Sequence, residues 1–154
     1  MRRVNSGVGR QTMHSWHRAL ISLLLVTSIL VALPGLVYVV GLAKVNGRPS
    51  PGNPAQFGPD TIAAAWLQCR EETPIRVSPT NPWRYVGKFL FRNFIGTSPG
   101  EHAAWRIASA HNFAHPVGNA TSWHTSGAAL TIWITRHWSA EQIGATLVRD
   151  GLCK

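Results

Sequence analysis

The hydrophobic pattern is uneven along the chain. Residues 19–43 form an uncharged apolar run broken only by Ser22, Thr27, Ser28 and Tyr38. At ~1.5 Å per helical residue it reaches about 37 Å, enough to cross a ~30 Å hydrocarbon core with some tilt. Pro34-Gly35 lies inside it, a bend that membrane helices tolerate. Gly41-Leu42-Ala43 would suit a cleavable leader, but such apolar regions are normally only ~7–15 residues long. The pattern therefore predicts a transmembrane anchor over 19–43, after a basic tail over 1–18.

Residues 44–59 hold Pro, Gly and Asn without apolar periodicity and read as a linker. From residue 60 to 154 the pattern becomes a series of short helices. Asp60 or Thr61 caps one over 61–71, and Asn81-Pro82 opens another over 83–96. Ser98-Pro99-Gly100-Glu101 reads as a capping box ahead of 101–113, stopped by Pro116 and Gly118. Ser122 starts an apolar helix over 123–138, too short to span a membrane, hence central to the domain. Ser139 and Gln142 cap the last helix, which Gly151 ends. No alternating β run competes, so the fold class is all-α: one membrane helix followed by about five helices.

Charge adds topology. Arg2, Arg3, Arg10 and Arg18 precede the apolar run with no acid among them, whereas only Lys44 and Arg48 follow it closely. This asymmetry places the N-terminus in the cytoplasm and the domain outside. The net charge of +9 belongs largely to the tail and the stretch beside the membrane. The domain itself is near +3, nine Lys or Arg against six acids, which argues against a nucleic-acid partner and for anionic lipid. Cys69 and Cys153 both fall on the outer side, where an oxidising compartment lets them pair.

Candidate chemistry is sparse. Glu101, beside His102 and one turn before Trp105, is the candidate catalytic acid, although an N-terminal capping role also explains it. His111 and His115 have metal-ligand spacing, but Pro116 follows and no matching Cys or acid does; no metal and no cofactor is expected. Arg84, Lys88 and Arg92 form a basic stripe on a helix whose other positions are apolar, a pattern suited to a membrane interface. Six tryptophans fall in the domain, and Trp105, Trp123 and Trp133, with His124, are the candidate lining of a ligand groove.

The stretch ALTIWITRHWSAEQI resembles the family 51 glycosyltransferase domain, the peptidoglycan transglycosylase of penicillin-binding proteins. Ala129, Leu130, Ile134, Ser139 and Ile143 fall on matching positions of a helix pair, and Ala110 and Asn112 match an upstream segment without a gap. The match covers about 40 residues of the chain. Trp123, His124 and Gly127 stand where that family carries two cations and a carboxylate, and Ala145 replaces a Glu. No segment equivalent to that bearing the family's catalytic Glu occurs, so no catalytic residue transfers. The resemblance implies a reduced, lysozyme-like helical scaffold on the periplasmic side of the cytoplasmic membrane, binding lipid-linked wall precursor or glycan without full catalytic machinery. Lipid, wall precursor and cell-wall proteins are the implied partners. The alternative is a non-enzymatic scaffold protein whose helix 123–138 packs against a cell-envelope partner.

Overall fold

The computed structural model describes residues 8–70, 76–90 and 98–153. These are all-helical, with no strand among them. Six α-helices follow in order: α1 (Val8–Ala43), α2 (Pro59–Gln68), α3 (Pro82–Leu90), α4 (Glu101–Ala114), α5 (Ala120–His137) and α6 (Ala140–Arg149). The chain divides after Pro34 into two compact units, 1–34 and 35–154.

The helix α1 is long and apolar enough to cross a membrane over Trp16–Ala43. Leu20, Leu23, Leu24, Ile29 and Leu30 are all more than half exposed, the arrangement that suits lipid as solvent. The helix continues through Pro34. It begins at Val8, so the basic tail is helical from that point.

The second unit starts within α1 and takes in the last nine residues of the expected anchor, 35–43. Its last turns lie antiparallel along α5. Arg136 sits over the Tyr38 ring at 5.8 Å, and Lys44 Nζ donates to Ser122 Oγ at 3.2 Å. Leu42 and Val45 pack on the core. The Pro/Gly stretch expected as a linker is also folded onto this unit. Asn46 Nδ2 donates to the Pro116 carbonyl at 2.8 Å, and the buried Gly52 N–H donates to Thr146 Oγ1 at 2.7 Å. A Cβ on Gly52 would stand 2.5 Å from the Thr146 nitrogen, so only glycine permits this approach to α6.

Local chemistry explains the helix ends. Asn81 Oδ1 accepts from Trp83 N at 2.9 Å with Pro82 at the first position, as the sequence predicts. Ser139 and Gln142 make both bonds of the capping box on α6, and Gly151 leaves the helix at φ 61°. Three starts differ from expectation. Pro59 begins α2 after Gly58, and Asn119 rather than Ser122 caps α5 through its side chain. In α4 only half of the expected box forms: Glu101 takes the Ser98 N–H, while its own N–H goes to the Ser98 carbonyl. The expected continuation of α3 to Gly96 lies outside the described residues.

The core explains the composition. Trp66, Ile107, Leu130, Ile134, Ile143 and Leu147 are almost wholly buried. Truncating a buried tryptophan to alanine typically costs about 3–5 kcal/mol, and Trp66 packs α2 onto α6 together with Ile62, both against Gly144. α5 is central, burying Ala129, Leu130, Thr131, Ile132 and Ile134 within its own domain. Trp123, Thr125, Ala128 and Trp133 stay half-buried and His124, Arg136 and His137 exposed on the remainder of the helix. Cys69 and Cys153 form a disulfide that ties the end of α2 to the C-terminal segment.

Candidate functional site

Glu101 opens α4, and its carboxylate is 5% exposed as part of the residue. One oxygen is ion-paired with Lys88 Nζ, and the other accepts the Ser98 N–H at 3.3 Å. Tyr85 is buried nearby, and its hydroxyl is pushed up to about 12, first by burial and then by the Glu101 charge, against an opposing hydrogen bond with Thr131. Both Glu101 oxygens are thus committed to the fold. A general acid must instead present a proton to a substrate atom within reach.

Lys88 accordingly turns away from the expected basic stripe, because its ammonium completes this buried pair. Arg84 stays exposed on the same helix beside Trp83, which is also exposed. Arg92 lies outside the described residues. The stripe's coherence at four-residue spacing is therefore lost at its middle member.

Three of the four proposed groove residues do converge. Trp105 and Trp123 meet edge to face with ring centroids 5.8 Å apart, and His124 stands edge-on to Trp123 at 4.9 Å. Gly127 makes this geometry available: a Cβ there would lie 3.0 Å from the Trp105 ring. Phe113, 74% exposed, extends the aromatic face at 5.2 Å from Trp123. Sequence reasoning passed over Phe113, although it lies eight residues after Trp105 on the same face of α4. Trp133 does not join them. It packs with Trp138 and His137 and carries the Arg48 guanidinium over its ring at 5.1 Å.

Beneath the aromatic face runs a polar seam between α4 and α5. Asn112 Nδ2 donates to Ser126 Oγ at 2.8 Å and to the Trp123 carbonyl at 3.1 Å. Asn112 Oδ1, Ser109 Oγ and Trp123 Nε1 are buried with no hydrogen-bond partner among the described residues. The rings above this seam make a surface able to stack on the apolar face of a ring-shaped ligand.

A separate groove of about 560 Å³ lies between the folded-back stretch at Asn46–Ser50 and α4. His111 Nε2–H donates to the Asn46 carbonyl at 3.3 Å, and the His111 and His115 rings stack at 4.4 Å. Burial, then the His115 charge, hold the His111 pKa below its ordinary value, against backbone hydrogen bonds that raise it. No third metal ligand joins the pair among the described residues. His111 thus ties the stretch after α1 to α4, while His115 Nδ1–H returns to the His111 carbonyl at 3.1 Å.

No family model matches this chain, and no curated protein or solved structure does either.

Proposed function

We propose that this is a single-pass membrane protein with its N-terminus in the cytoplasm and its helical domain in the periplasm. The domain binds lipid-linked wall precursor or glycan without turning it over. The carrying observation is the convergence of Trp105, Trp123, His124 and Phe113 on one face, with Phe113 exposed. The committed carboxylate of Glu101 supports binding over catalysis. The arginines at 2, 3, 10 and 18 support the orientation, and the Cys69–Cys153 disulfide suits an oxidising compartment. Retention of the anchor is supported by Leu42, which cleavage after Ala43 would strip from the core.

The test is equilibrium binding of the full chain in nanodiscs to lipid-linked disaccharide–peptide. Phe113→Ala removes an exposed ring and should leave the melting temperature within about 2 °C while weakening binding about tenfold, the scale of one aromatic stack. Equal affinity in wild type and variant would remove the aromatic face from the account.

A further inference from the structure

A second cavity, of about 530 Å³, opens where the end of α2, the first turns of α4 and the C-terminal segment meet. It is lined by Gln68, Cys69, Arg70, His102, Arg106 and Cys153. None of these is acidic, and two are guanidinium groups. Arg70 and Arg106 are exposed, and among the described residues neither has a carboxylate partner. His102 Nδ1 stands 3.1 Å from the Cys69 carbonyl. A carbonyl only accepts, so Nδ1 carries the proton and Nε2 is the remaining polar edge of the ring.

The backbone supplies an independent observation. Arg70 (φ 60°) and Cys153 (φ 65°) are the non-glycine residues with positive φ among those described, and both line this cavity. Arg70 directly follows the C-cap of α2, a position where glycine is the usual occupant and any side chain is sterically disfavoured. Helix termination therefore does not explain an arginine there. Strained backbone of this kind is concentrated at ligand-binding positions.

We propose that this cavity binds a phosphoryl group, with Arg70 and Arg106 supplying charge-assisted hydrogen bonds to its oxygens. Guanidinium groups match phosphate oxygens in a planar, two-toothed geometry. The site is independent of the aromatic face, so either can fail alone. The phosphoryl group has two sources, a soluble phosphate or the headgroup of a lipid.

The test uses the full chain in neutral-lipid nanodiscs, titrated with inorganic phosphate and diphosphate, and then mixed with phosphatidylglycerol or phosphatidylcholine vesicles. Saturable binding of a soluble phosphate, weakened at least tenfold by Arg70→Gly and by Arg106→Gln, assigns the site to soluble ligands. Binding confined to phosphatidylglycerol vesicles, with the same loss in both variants, assigns it to a lipid phosphodiester. Arg70→Gly should melt at or above the wild-type temperature, because glycine relieves the positive φ; if it fails to fold, Arg106→Gln decides the outcome. No binding with any probe, or binding that neither substitution weakens, overturns the proposal.

Discussion

Lys88→Ala should destabilise the domain by about 3–5 kcal/mol, because it leaves the buried Glu101 carboxylate without its counter-cation. The cost comes from the stranded charge more than from the lost bond. Lys88→Met combined with Glu101→Gln should therefore recover most of the loss, since neither partner is then charged and Gln still accepts the Ser98 N–H. Thermal melts of the detergent-solubilised chain, followed by near-UV circular dichroism, read both effects. A Lys88→Ala melt indistinguishable from wild type would mean that Glu101 finds solvent in its place. Glu101 would then regain its standing as a candidate acid.

Cys153→Ser should cost about 4 kcal/mol, on the order of the chain entropy released when a loop this long is opened. The bond joins positions 84 residues apart and holds the C-terminal segment against α2. Cys69 is 2% exposed, so its freed thiol remains in the core. The measurement is the melting temperature of wild type with and without reductant, beside that of the serine variant. Reduction and substitution should shift it equally, by about 10–20 °C for a domain of this size. A shift of under 2 °C in both would show that local packing at Leu147 and Trp66 holds this end unaided.

Much of this architecture was legible because local chemistry decides it. The caps at Asn81, Ser139 and Gly151 depend on residues within one turn, and all three form as their neighbours dictate. The apolar run and its exposure follow from composition alone. The pairing of two cysteines required no geometry beyond their shared compartment.

What was not legible depends on residues distant in the chain. Spacing puts Lys88 on a stripe with Arg84, but only the folded chain brings Glu101, thirteen residues later, against it. The stretch at 44–59 has a linker's composition, and its attachment depends on Thr146, His111 and Arg149 far downstream. Trp133 shares only its residue type with Trp123. Ten residues along a helix place them about 15 Å apart on the axis, a separation that periodicity could have supplied. Phe113 is a phenylalanine and so stands outside the tryptophan pattern, although it extends the same aromatic face at 5.2 Å from Trp123.

The most direct measurement combines the full chain, embedded in bilayers, with lipid-linked disaccharide–peptide and follows bound precursor and newly formed glycosidic bonds in the same samples. A binding domain without turnover gives saturable binding above that of plain anionic lipid, with no chain growth in wild type or in Glu101→Gln. Binding no better than plain lipid would contradict that reading, as would chain growth in wild type that Glu101→Gln abolishes.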